Sequence, residues 1–238
     1  MGFRFRRVRA MAAKETIMSD ERMRRMTCWI GCLALLAIQS LSSAAGLESR
    51  QEALQGLSHS DAQVRRDAVL WLSERGVMED LGVLAEALRD EDSEVRFAAE
   101  GALVQLWSRS GDQQVDALFK TGVKQMSDGL MGLAVDTFSR IVELKPDFAE
   151  GWNKRATVYY LMGNFELSLK DCDEVMQRNP LHFGALSGYG LIYVRLGKLE
   201  QALEYFERAL EVNPNLEGAQ QSVAALRHQL GKQGKQAI

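Results

Sequence analysis

The chain has 238 residues, 46% of them apolar and 26% charged, which supplies enough apolar side chain for a packed core and is too apolar for a disordered chain. Its net charge of −3 is unevenly spread: residues 1–45 carry eight Lys/Arg against three Asp/Glu, and the rest carries 21 against 29, a net of −8. An acidic body of this kind argues against nucleic acid as the main ligand, because phosphate binding draws its affinity from clustered basic side chains.

The chain opens with an export pattern. Arg22, Arg24 and Arg25 precede the apolar run Met26 to Ile38, and the small residues Ser42, Ser43, Ala44 and Ala45 come directly after it. A run of 13 residues is short for a membrane span, which takes roughly twenty. Cleavage after Ala45 is therefore expected, giving a periplasmic or secreted protein. The alternative is an uncleaved anchor over residues 26–41, the chain's one membrane contact. Cys32 lies at the start of the apolar run, a poor place for lipid attachment, and with Cys28 it falls inside the signal. Cys172 is then the lone thiol of the mature chain, without an internal disulfide partner, and its place on the apolar face of a helix predicts a small buried hydrophobe.

A period of 31 begins beyond the signal. Leu57, Asp61, Val64, Arg65, Ala68 and Leu72 recur as Leu88, Asp92, Val95, Arg96, Ala99 and Leu103. The words DAQVRRDAVLWL and DSEVRFAAEGALVQL resemble HEAT repeats, and the resemblance implies helix pairs in which the Asp caps the second helix while Val and Ala face its partner. Arg65 and Arg96 are expected to form a ladder with Asp61 and Asp92. Two copies are few for a solenoid, so residues 46–111 should lean on the C-terminal half of the chain. The polar junction from Ser108 to Asp112 is short, which predicts one continuous curved body.

The period then lengthens. Pro146, Pro180 and Pro214, the only prolines of the chain, are 34 residues apart. The same register aligns Gly129, Gly163 and Gly197; Gly122, Ala156 and Gly190; Ala134, Ser168 and Ala202; and Phe138, Cys172 and Phe206. Each copy therefore carries a small residue in a first helix, a Gly turn, a small residue in a second helix, a ring or thiol, and a Pro stop. In segments such as AEGWNKRATVYYLMGNFELSLKDCDEVMQRNP, residues 115–216 resemble three tetratricopeptide repeats, a match over more than 40% of the chain. The first copy departs most, with Leu118, Thr121 and Gln125 where the second has Trp152, Arg155 and Tyr159. Residues 217–230 resemble the amphipathic helix that caps such arrays, and residues 231–238 read as a frayed tail. The resulting fold class is all-α: a right-handed α-solenoid with HEAT-like repeats over 46–111 and a capped tetratricopeptide array over 112–230. Cys172, standing where its neighbours have Phe, suggests a packing deficit that Cys172→Leu would fill.

Chemistry is sparse. No GxxxxGK, GxGxxG or GxSxG occurs, and His59, His182 and His228 are isolated from one another in sequence, so no catalytic residue, cofactor or metal is expected. Ser58-His59-Ser60-Asp61 falls on a turn, where Ser and Asp act as caps rather than as a triad.

The expectation is instead a non-catalytic scaffold of the cell envelope that binds a protein or peptide on the concave side of the array. The wall should carry Phe119, Val123 and Met126 from the first copy, Asn153, Thr157 and Tyr160 from the second, and Leu191 and Arg195 from the third, with Phe119, Tyr160 and Leu191 as anchors. Some tetratricopeptide modules grip a C-terminal carboxylate with a cluster of Lys, Asn and Arg. The matching positions here are Phe119, Val123, Lys154, Gly184 and Gly188, which lack that cluster. Self-assembly is the structural alternative. A relative of HEAT-like chromophore lyases is the enzymatic one.

Overall fold

A computed structural model describes residues 46–236, so the expected export segment and anchor lie outside the described residues. Eleven α-helices and no strand occur among the described residues. The first four form the HEAT-like block: α1 (Arg50–Gly56), α2 (Ala62–Arg75), α3 (Leu81–Ala87) and α4 (Ser93–Trp107). Asp61 caps α2 by accepting from Gln63 N, and Asp92 caps α4 by accepting from Glu94 N and Val95 N, as the 31-residue register requires. Leu72, Leu84, Leu88 and Leu103 are fully buried between the helices.

The arginine ladder takes other partners than expected. Arg65 forms a bidentate pair with Asp90, Nε to Oδ2 and Nη2 to Oδ1 both at 2.7 Å, and its Nη1 donates to the carbonyls of His59 and Ser60. Arg96 donates to the carbonyls of Asp90 and Glu91. Asp61 and Asp92 each turn Oδ1 to their helix cap, and it is Asp90 that receives the guanidinium. The Arg65 hydrogen bonds outweigh burial and hold the Asp90 carboxyl below its ordinary range.

Three hairpins come next: α5 (Gln113–Ser127) with α6 (Met131–Leu144), α7 (Ala149–Leu161) with α8 (Phe165–Arg178), and α9 (Phe183–Arg195) with α10 (Leu199–Val212). Each first helix ends at a glycine in the left-handed region, Gly129 at φ 76°, Gly163 at 79° and Gly197 at 72°. The next amide reaches back to close the last turn, as from Asn164 N to Tyr159 O at 2.8 Å. Inside the hairpins the aligned small and large residues fit one another. A Cβ on Gly122 would lie 2.7 Å from Phe138, and one on Gly190 would lie 2.8 Å from Phe206. In the middle hairpin the register has Ala156 and Cys172 instead, both buried in one cluster with Tyr189 and Ile192. The methyl of Ala156 occupies room that the flanking copies leave for a ring, so the thiol answers a smaller slot and not a packing deficit. Cys172 is free and buried as expected, and burial pushes its thiol up.

The cap, α11 (Glu217–Gln236), packs on α10 through Ala219, Val223 and Leu226. It runs beyond Leu230 into the segment expected to fray, which contains no proline to stop it.

The two blocks do not join end to end as one continuous curve. Instead of stacking along α5, the HEAT-like block folds back on the rim where each second helix hands over to the next first helix. Trp107 stacks on His182 with ring centroids 4.2 Å apart and tilts against Phe183 at 4.8 Å. Asn215 Nδ2 donates to Leu88 O at 2.7 Å, Asn213 Nδ2 to Glu100 Oε2 at 3.1 Å, and Arg89 to the carbonyls of Glu211 and Val212. Leu181, Phe183, Val212 and Leu216 join the core of the HEAT-like block. The HEAT-like block thus packs on the array, against its second and third copies. The outer face of α5 stays with Thr121 exposed and Gln125 half-buried against Thr137. The polar departures of the first copy thus suit a terminal repeat.

Candidate partner-binding groove

The first helices α5, α7 and α9 touch one another in series, while the second helices α6, α8 and α10 do not pack on one another to the same degree. The first helices therefore line the inner, concave side. The HEAT-like block takes the hand-over rim, leaving the opposite rim, where the glycine turns lie, clear of it.

The wall residues sort into three groups. Phe119 is not an accessible anchor: it is 8% exposed and meets Phe138 and Phe148 edge-on at 6.1 and 5.5 Å. The slot beside Gly122 draws the Phe138 ring inward, and Phe119 completes that core. Val123 and Met126 are half-buried against the same cluster.

Asn153 and Thr157 are committed to internal polar bonds. Thr157 Oγ1 donates to Asn153 O at 2.9 Å, and Asn153 Nδ2 donates to Glu150 Oε2 at 3.0 Å. Glu150 also receives Lys154 Nζ at 2.9 Å and His182 Nε2 at 2.8 Å. His182 Nδ1 accepts the amide of Ala185, which leaves its proton on Nε2, facing the carboxylate. Burial alone would push the Glu150 carboxyl up, but Lys154 and His182 outweigh it and hold the group at about 2. Glu150, Asn153 and Lys154 lie at i, i+3 and i+4 on α7, a spacing visible in the sequence. Sequence reading missed the network because His182, which encloses the carboxylate, lies 32 residues away.

Tyr160, Leu191 and Arg195 form the third group, at the clear rim. Tyr160 is half-buried with its ring 6.0 Å from Phe165, and the Arg195 guanidinium lies 6.0 Å from the Tyr160 centroid and 5.4 Å from that of Phe165. One cation thus spans the second and third copies. Leu161, 42% exposed, and Val194, 40% exposed, stand next to Tyr160 and Arg195 in sequence, and Leu191 is half-buried on the α10–α11 core. This arrangement offers apolar surface, aromatic faces and a guanidinium, and no nucleophile, acid–base pair or ligand set accompanies it. No cluster able to hold a metal occurs among the described residues.

Comparison with known proteins agrees with this architecture. Residues 147–215 match the family model for the tetratricopeptide repeat, and residues 34–127 match that for HEAT repeats. A TPR repeat-containing protein of Rhizobium etli is 35% identical over 142 residues, covering 60% of this chain and 69% of that one. The chain belongs to the tetratricopeptide repeat proteins. A small glutamine-rich tetratricopeptide repeat-containing protein 2 of Mycosarcoma maydis is 25% identical over 117 residues, 49% of this chain and 33% of its own length. Among solved structures, the Sgt2 TPR domain of Aspergillus fumigatus superposes with a TM-score of 0.50 at 19% identity, covering 53% of this chain and 85% of that one. That likeness concerns the fold. The 34-residue register over α5–α10 is thus a tetratricopeptide array, preceded by HEAT repeats.

Proposed function

We propose that this tetratricopeptide repeat protein is a non-catalytic adaptor that binds a protein or peptide in its concave groove, and that it works in the cell envelope after export. The observation that carries the binding reading is the row at the clear rim. Leu161 and Val194 are kept exposed next in sequence to Tyr160 and Arg195, on the first helices that line the inner face. Large apolar side chains held in water in such a concave row are suited to a partner. The export reading rests on the order Arg22–Arg25, Met26–Ile38, Ser42–Ala45.

The groove is tested by capture from cell extract with the full chain and with a Tyr160→Ala, Arg195→Ala variant. Asn153 is left intact, since its amide serves the buried Glu150. Partner affinity is expected to fall by about 1–3 kcal/mol with little change in thermal stability. Unchanged capture by a folded variant would exclude this face as the binding surface.

A further inference from the structure

The outer side of the middle hairpin carries a cleft of about 410 Å³ between α7 and α8, lined by Trp152 and Tyr159 and, along α8, by Leu167, Lys170, Glu174 and Gln177. In the third copy Tyr205 fills the equivalent place, its ring 4.3 Å from Tyr189 and 5.4 Å from Tyr193. In the first, Thr137 donates to Gln125 there at 2.7 Å. The middle copy has Asp171 at this position, drawn inward by Arg155 at 2.7 and 2.8 Å. Trp152 is held between Arg155 and Arg178, each 4.9 Å from its ring centroid, so this wall of the cleft is preformed.

Along the cleft α8 presents opposite charges one turn apart, the cation Lys170 ahead of the carboxylates of Asp173 and Glu174. Lys170 is exposed and makes no ion pair among the described residues. Asp173 accepts the neutral hydroxyl of Tyr189, and Glu174 takes Arg178 through one oxygen, Oε2, at 2.6 Å. The flanking second helices repeat the opposition at the same register positions, Asp136 with Arg140 on α6 and Glu204 with Arg208 on α10. A helix with a cation one turn ahead of its anions is complementary to an antiparallel copy of itself, whereas a parallel copy brings like charges together.

We infer that the outer layer docks on a second copy of this chain, α8 antiparallel on α8 about a two-fold axis. Lys170 of each copy then meets Asp173 and Glu174 of the other. Leu167, 42% exposed, falls opposite the copy's Gln177 at the edge of the cleft. The same axis sets Asp136 toward the copy's Arg140 and Glu204 toward its Arg208, so all three second helices favour one register. The inner face of the first helices takes no part, and the groove reading stands or falls independently.

Sedimentation of the full chain tests this. A reversible dimer that weakens at high salt is expected. Lys170→Glu and Glu174→Lys should each lower the association constant about tenfold while leaving thermal unfolding nearly unchanged. An equimolar mixture of the two variants should then form a heterodimer as tight as the native dimer, because one offers carboxylates at both positions and the other ammonium groups. The double variant Lys170→Glu, Glu174→Lys should likewise regain self-association. A chain monomeric at all concentrations, a dimer indifferent to the reversals, or losses that neither the mixture nor the double variant repairs would overturn the inference.

Discussion

In the HEAT-like block an Arg and an Asp recur every 31 residues and hold loops by hydrogen bonds, whereas in the tetratricopeptide array a small residue and a ring recur every 34 and hold helix pairs by contact. The first device tolerates two copies, because Arg65 and Arg96 fasten loops within and next to their own repeat. The second works by stacking, so each hairpin relies on its neighbours and on the α11 cap. The two devices meet at Trp107, which belongs to neither period: 31 residues before it stands Gly76. A contact made once per molecule carries no periodic signal, yet it fixes how the blocks sit together.

Breaking that contact should have the largest effect. Trp107→Ala removes a buried ring from His182 and Phe183 and is expected to cost about 3–5 kcal/mol, read by urea unfolding. If the blocks were independent, the array's own transition would not shift.

Acid should loosen the same region through Glu150. Its pKa is lowered from 4.5 to about 2, so its stabilisation is fully present above the ordinary glutamate range and is lost as pH falls through about 2. The contribution at neutral pH is about 3 kcal/mol, and Glu150→Gln should flatten this acid limb of the stability profile. An unchanged acid limb would place the titration elsewhere.

The small-to-large pairing sharpens the comparison inside the array. Cys172→Phe should destabilise by about 1–3 kcal/mol, because Ala156 retains a methyl where the flanking copies have glycine. Adding Ala156→Gly should recover most of that loss despite the intrinsic cost of glycine in a helix, giving a strong coupling in a double-mutant cycle. Additive effects would mean that the two side chains do not share a slot. At the small end, Asn215→Ala deletes the bond to Leu88 O and should cost about 1 kcal/mol in the same unfolding assay.

These cases also mark what the sequence made legible. The hairpins, their glycine turns, the buried thiol and the capping aspartates all follow from residues that repeat, because each copy restates the same local requirement. Arg65 was visible but its partner was not, since Asp90 and Asp92 differ only in which of them a helix end consumes. Phe119 sat at a groove position by helical geometry, yet Phe138 and Phe148 drew it into the core. Tyr160 and Arg195 repeat in no other copy; helical spacing put each on a first helix, but the stacking of Arg195 over Tyr160 and Phe165 carried no periodic signal. The Glu150–His182–Trp107 network was not legible, because it joins three helix boundaries that no pattern relates.

The central structural claim is that the HEAT-like block closes the hand-over rim by folding back on the second and third copies. It is tested most directly by cross-linking Glu100→Cys to Asn213→Cys with a short bis-maleimide, in a full chain whose Cys28 and Cys32 are replaced by Ser. Native Glu100 and Asn213 are hydrogen-bonded at 3.1 Å although 113 residues apart. A rapid intramolecular link, lost when Trp107→Ala is added, is the expected result. Absence of a link in the folded protein would contradict it and return the chain to an end-to-end solenoid with both rims open, whereas a link that survives Trp107→Ala would keep the fold-back and assign it to the Asn215, Arg89 and Leu181 contacts instead.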